Sequence, residues 1–284
     1  MSRFIYTLSR RWLDRSTGIG ILIRSLRRRV HTRLRRKNRV ANIAMLHAGR
    51  CGSSVLADLL GQHPGFRWVG EPFEAMLPAY YRMDPERRAE HVIGNSLYFR
   101  DCRYYGFDSK YLPEQHLHRD LGNKTPAAYI ELLARLGFSH YILLDRRNHL
   151  RRAISVAIGT QTRLWNTDRP VAAGVTVRVD PERFVSYGRE MSLQQYFSSL
   201  EERYWTFADL LRGKPLLELV YEDDIERDPS VAYRKVCAFL GIEAAPVQVR
   251  LQKLNPQPIR ELVANFDELA AALRGTRHAW MLDA

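Results

Sequence analysis

The sequence predicts an α/β protein: a central parallel sheet flanked by helices, entered through a P-loop-like turn, with a basic N-terminal arm ahead of it. Three observations carry that expectation. The 284 residues are 45% hydrophobic and 26% charged, the balance of a chain with one sizeable core. From Asn42 onward, short apolar runs alternate with amphipathic helical segments, as strands and their covering helices do in a parallel sheet. The first apolar run passes at once into a glycine-containing loop and a helix.

The elements follow in order. Ile43-Ala44-Met45-Leu46 reads as a buried strand, and Ser53 to Leu60 as a helix ended near Gly61 and Pro64. A short second strand precedes the turn Gly70-Glu71-Pro72, and Tyr104-Tyr105-Gly106-Phe107 reads as another. Thr125 caps a helix that runs to Leu136, with Pro126 in its first turn where the missing N–H costs nothing. Tyr141 to Leu144 is a buried strand followed by a helix from about Asn148 to Trp165. Gly174 to Val179 is loop or edge strand, and Pro181 to Leu211 is mostly helical with a break around Gly188. Leu216 to Tyr221 is a strand, Pro229 to Leu240 a helix stopped by Gly241, and Glu261 to Leu273 a last helix.

Charge divides the chain into two parts. Residues 1–40 hold 12 Arg and one Lys against a single Asp, so nearly all of the formal net charge of +13 sits in the arm and residues 41–284 carry about +1. The arm also carries Phe4, Tyr6, Trp12 and Ile19 to Ile23, a mixture that reads either as a basic, partly amphipathic surface segment drawn to anionic lipid or as a disordered, solvated tail. Its apolar stretch is far short of the roughly 20 residues needed to span a bilayer. Cys51, Cys102 and Cys237 have no pairing or zinc spacing, which fits a reducing compartment. The expected location is cytoplasmic, peripheral on the inner membrane face, and no nucleic-acid partner is expected.

The segment Gly49-Arg50-Cys51-Gly52-Ser53-Ser54 suits a phosphate, because glycines let the backbone wrap closely and the helix start presents free N–H groups to an anion. Arg50 adds a charged fork. The nucleoside-triphosphatase loop needs Lys directly before its Ser/Thr, and that place is Gly52. A second basic segment, Arg147 to Ser155, begins where the strand 141–144 ends and offers an Arg and a Ser eight apart at a helix start.

The two segments in this order resemble the sulfotransferases that use 3′-phosphoadenosine 5′-phosphosulfate (PAPS), in particular the carbohydrate, Stf0-like and nodulation-type bacterial members. In that family R-x-G-S-S/T cradles the 5′-phosphosulfate, here Arg50 to Ser54, and R-x-x-x-x-R-x-x-S holds the 3′-phosphate through its first Arg and its Ser, here Arg147 and Ser155. Gln62-His63-Pro64 and Gly70-Glu71-Pro72-Phe73 are similar to family segments in which the Glu is the base. Tyr221-Glu222-Asp223, Asp228-Pro229 and Phe239-Leu240-Gly241-Ile242 resemble a later stretch.

The resemblance, covering about 42–282, implies sulfuryl transfer from PAPS, without a metal ion, to a hydroxyl of a carbohydrate or glycolipid. Glu71 would be the general base and Arg50 the cation on the transferred group. Lys124, in Asn123-Lys124-Thr125-Pro126, would stand near donor and acceptor, although Lys110 in Gly106-Phe107-Asp108-Ser109-Lys110 answers to a similar family segment and the choice stays open. His47 and His63 read as packing or capping groups. The acceptor pocket falls to residues 74–120 and 160–200, with Tyr80, Tyr81, Tyr98, Trp165 and Tyr187 as sugar-stacking candidates. Two other readings stand: a small-molecule or nucleotide kinase with a degenerate loop, and a non-catalytic membrane or nucleic-acid adaptor working through the arm.

Overall fold

Five strands run parallel in one sheet. The computed structural model describes residues 39–74, 81–97, 102–120, 122, 124–168 and 174–283; the basic arm, apart from Arg39 and Val40, lies outside the described residues, as do Tyr80 and Tyr98. The strands are β1 (Ala41–His47), β2 (Phe66–Trp68), β3 (Tyr104–Lys110), β4 (His140–Asp145) and, after the hairpin β5 (Phe184–Ser186) and β6 (Arg189–Met191), β7 (Leu216–Val220). The sheet order is β2-β3-β1-β4-β7. After β1 the chain fills one side with β2 and β3, then crosses to β4, so the strand order reverses beside β1. In parallel sheets, ligands bind outside the carboxyl ends of the strands at such a point.

Eight α-helices occur among the described residues: α1 (Ser53–Gln62), α2 (Pro85–Leu97), α3 (Pro126–Arg135), α4 (His149–Thr162), α5 (Leu193–Leu211), α6 (Ser230–Phe239), α7 (Ile259–Leu262) and α8 (Phe266–Leu273). The alternation of side chains along β1 divides the core. Ala44 and Leu46 join α3, α4 and α5 on one face, whereas Ile43 and Met45 join α1 and α6 on the other. With both faces covered, β1 is buried apart from the partly exposed Asn42, which explains its apolar run.

Local signals set several boundaries. Thr125 accepts the N–H of Ala128 to cap α3, and Ser192 with Gln195 forms a reciprocal capping box at α5. In three places the structure differs from the periodic reading. The helix after β4 stops at Thr162, because Arg163 takes a left-handed conformation. The predicted helix from Pro181 begins instead as the hairpin β5–β6, whose two-residue turn is Tyr187-Gly188, and only α5 is helical. The last helix is split into α7 and α8 at Val263, which leaves the helix to pair with Val177. Pairing with the distant Val177 decided the last, whereas the hairpin is local but its strands are too short to show a period.

No helix among the described residues is long and apolar enough to cross a membrane.

Candidate functional site

The loop after β1 gathers most of the predicted residues. Gly49, Arg50 and Gly52 all have positive φ, 86°, 58° and 84°, so three left-handed residues within four positions curl the chain back over its own helix start. No side chain caps α1 at Gly52. Ser53 and Ser54 line the cleft at this uncapped helix start, a place that suits an anion. Gly52 cannot carry a side chain easily: a Cβ there would lie 2.7 Å from Ile225 Cγ2. That contact, with the left-handed backbone, excludes the lysine that a nucleoside triphosphatase places before its Ser/Thr. Cys51 turns into the core, and burial pushes its thiol up to about 12, so it offers the site only its backbone.

Arg50 reaches across to the second segment. Its Nε donates to Ser155 Oγ at 2.9 Å and its Nη1 to the carbonyl of Trp165 at 2.6 Å, with the guanidinium over the Trp165 ring. Burial lowers its pKa, but from so high a start that it stays charged. Gly52, Ser53, Ser54, Arg146, Arg151 and Ser155 line the same cleft of about 350 Å³. That volume is in the range of small-ligand pockets. Arg146 stacks on Tyr221 at 4.4 Å and donates to the Arg50 carbonyl.

Arg147 sits differently from its partner Ser155. Its side chain is half exposed, pairs with Asp223, and does not line the cleft; Arg146 and Arg151 do. The cause is β7. Glu222, in the wide turn that follows it (Tyr221–Ile225), accepts the backbone N–H groups of Arg147 and Asn148, both at 3.0 Å, and thereby holds Asp223 beside the Arg147 guanidinium. Glu222 is thus a cap for the mouth of α4, a role its motif did not reveal because the contact spans 75 residues.

On the other flank of the loop stands a charged cluster. Lys110, the last residue of β3, lies 2.5 Å from Glu71 Oε2 and 3.2 Å from Glu74 Oε1. Its Cε is 3.5 Å from where a Cβ on Gly49 would sit, so Lys110 is a lysine beside the loop after β1. Burial alone would lower its pKa, yet Glu71 and Glu74 outweigh burial and raise it. Lys124 lies at the approach to α3, its backbone N–H bonded to Leu117. The lysine that meets Glu71 is Lys110. His116, fully buried in the wide turn after β3 (Pro113–Asp120), takes the Lys110 N–H on Nδ1 at 3.0 Å and turns Nε2 to Glu74 at 3.4 Å. The hydrogen bond from His116, helped by Lys110, holds the Glu74 carboxyl well below the usual range.

Beneath them, Asp108 is buried against Trp68 Nε1 at 2.6 Å; burial, then the Glu71 charge, pushes it up to about 7. His47 is buried with Nδ1 accepting the Gly49 N–H at 2.9 Å, and burial holds it well below its ordinary value and neutral. His63, by contrast, is a structural group, accepting the Gly65 N–H at 2.9 Å. His47, Glu71 and Asp108, and likewise Glu71, Glu74 and His116, have donor atoms within 4.8 Å of one another, the spacing of a cation site. Lys110 already supplies positive charge at Glu71.

No family model and no curated protein matches this chain. Among solved structures, a deoxyadenosine kinase from M. mycoides with bound dATP is similar at a TM-score of 0.33 and 16% identity, covering 69% of this chain and 98% of that one. The α/β fold itself stands on the five parallel strands and their covering helices.

Two groups near the loop have roles that the sequence did not show. Arg152, fully buried, donates from Nε to the Gly49 carbonyl at 2.9 Å and from Nη2 to that of Ala48, bracing the loop from below. Gln115 places its side-chain amide 3.8 Å from the Cβ position of Gly49. Arg152 is the second Arg of the R-x-x-x-x-R-x-x-S pattern, which gave it no role, and Gln115 had no local signal at all.

Proposed function

We propose that this chain is a PAPS-dependent sulfotransferase acting on a hydroxyl of a carbohydrate or lipid-linked acceptor. The observation that carries this reading is the 2.9 Å bond from Arg50 to Ser155, which joins the two anion-binding segments across 105 residues at one cleft. A bisphosphorylated adenosine needs two cradles at a fixed separation, and the chain builds them from α1 and α4. Ser53, Ser54 and the loop backbone take the 5′-phosphosulfate, and Ser155 with Arg146 and Arg151 takes the 3′-phosphate. Arg147 joins them readily, since an exposed pair such as Arg147–Asp223 is worth about 0–1 kcal/mol and opens at little cost.

The acceptor oxygen attacks sulfur, forming the new O–S bond as the bond from sulfur to the 5′-phosphate oxygen breaks. The electron pair leaves with the phosphate. Arg50 and Lys110 stabilise charge spread over the sulfuryl and leaving oxygens, the dominant contribution in loose transfers of this kind. Glu71, at the same sheet edge, takes the acceptor proton. The chemistry assigned here uses no metal.

A second reading, a small-molecule or nucleotide kinase, draws on Asp145 at the carboxyl end of β4, a carboxylate that burial pushes up to about 6. Gly52 opposes it, because no loop lysine can stand there.

Calorimetry with 3′-phosphoadenosine 5′-phosphate (PAP) against ATP with Mg²⁺ separates the two. PAP is expected to bind and ATP not to; tight ATP binding with PAP ignored would replace this reading with the kinase. Glu71→Gln should keep PAP affinity while turnover with PAPS falls roughly 10²–10⁴-fold.

A further inference from the structure

Beneath Gly49, several buried polar groups converge without hydrogen-bond partners among the described residues. Gln115 is 1% exposed, and neither its amide nitrogen nor its oxygen is satisfied. Arg152, 1% exposed, uses Nε and Nη2 on the loop carbonyls but leaves Nη1 unpaired. His47, fully buried, has its Nε2 free of partners. Unpaired groups of this kind are rare in folded proteins, because each costs about 1–3 kcal/mol of lost solvation.

Their placement is not scattered. Arg152 holds the Gly49 carbonyl, His47 holds the Gly49 N–H, and the Gln115 amide nitrogen and Lys110 Cε flank the direction in which a Gly49 side chain would point, at 3.8 and 3.5 Å. One atom placed there meets both side chains at ordinary contact distance, the room of a single oxygen of an oxyanion. Glycine with φ 86° there allows close approach, and the position is bordered by the Lys110 side chain and by the uncharged amide donor of Gln115.

We propose that Gln115 is a contact residue for the transferred sulfuryl group, its amide donating to a sulfuryl oxygen held between the Gly49 turn and Lys110. The proposal rests on the sulfotransferase reading and adds to it a named residue for the one group that distinguishes PAPS from PAP. An amide suits that place: it binds an oxyanion without adding a charge that would hold the leaving phosphate back.

The test compares PAPS with PAP by calorimetry on the full-length protein and on Gln115→Met, alongside thermal unfolding. Met is a near-isostere without the amide. If the amide is kept for the sulfuryl group, Gln115→Met should weaken PAPS by about 10-fold, the worth of a hydrogen bond to a charged group, leave PAP within about twofold, and not lower Tm, because removing an unsatisfied buried amide relieves its desolvation. Gln115→Glu, which sets a carboxylate against the anion, should weaken PAPS further with PAP again little changed. Unchanged PAPS affinity in Gln115→Met overturns the proposal, as does an equal loss for PAP. A lowered Tm or failure to fold in both variants would make the amide structural and overturn it too. Should the wild-type protein bind neither nucleotide, the sulfotransferase reading itself falls and takes this inference with it; binding of both with no effect of Gln115→Met removes the inference alone.

Discussion

Asp108 illustrates how much of this site is set by single residues. It sits on β3 with its carboxyl buried against the Trp68 indole N–H and near the Glu71 charge, so its folded pKa of about 7 stands above the ordinary carboxylate value of 3.8. Where the folded value is the higher one, the native state holds a proton that the unfolded chain has released. Stability is therefore lost as pH rises from about 4 through 7 and is not lost further above that. Asp108→Asn keeps an acceptor for Trp68 and removes the ionisation. It should unfold like wild type near pH 4 and be more stable by on the order of 2 kcal/mol at pH 8, measured by denaturant titration at both pH values. Equal stability at pH 8 would place a compensating charge beside Asp108. At this scale the sequence showed residue types and spacing: Arg50, Ser53, Ser54 and Glu71 stand at a helix start and at a turn, where local rules expose them. Gln115 and His116 carried no such signal, and Arg152 stood in the second motif without a role, because their contacts are with neighbours far off in the chain.

Elements show a different kind of constraint. The hairpin β5–β6 is only three residues long on each side, tied by Arg183 to Glu190 across the pair and by Arg189 to Glu114 in the wide turn that carries Gln115 and His116. Its two-residue turn needs positive φ at both positions, and Gly188 supplies one at 81°. Tyr187 supplies the other at 50°, where Asn, Asp or Gly would normally stand, and costs about 1 kcal/mol against them. Strain of this sort persists at functional positions. The Tyr187 phenol lies within Coulombic range of Arg50, Lys110 and Arg152, the cations gathered around the loop after β1. Tyr187→Asn should raise stability by about 1 kcal/mol in denaturant unfolding and lower acceptor turnover without altering PAP affinity. A variant less stable than wild type would mean the phenol packs structurally. Alternation of apolar residues could not reveal this hairpin, since strands of three residues give no period to read, and the chain there looks like the start of α5.

For the molecule as a whole, the charge asymmetry matters most. The described domain seals its amino end through Arg39, whose side chain bonds the Cys102 carbonyl and Asn42, and through the Val40 N–H on Arg103. Removing residues 1–38 should therefore leave thermal unfolding and PAP binding unchanged, while sedimentation with vesicles of anionic phospholipid, expected for the full chain, is lost and vesicles of zwitterionic lipid show no difference. A truncated protein that still sediments would shift the membrane contact to the domain; one that no longer binds PAP would tie the arm to the cleft.

What the amino-acid sequence determined by itself is the order of the five sheet strands and of most helices that cover them, the glycine-containing loop after β1 and the concentration of basic charge in residues 1–40. Each follows from interactions within about ten residues, such as burial period, capping and glycine conformation. Tertiary structure alone decided that Lys110 is the lysine that meets Glu71, that Glu222 caps α4 and draws Arg147 toward Asp223, and that Arg50 bonds Ser155. Those contacts join residues 39 to 105 positions apart, and only the strand order of the folded sheet brings them within reach.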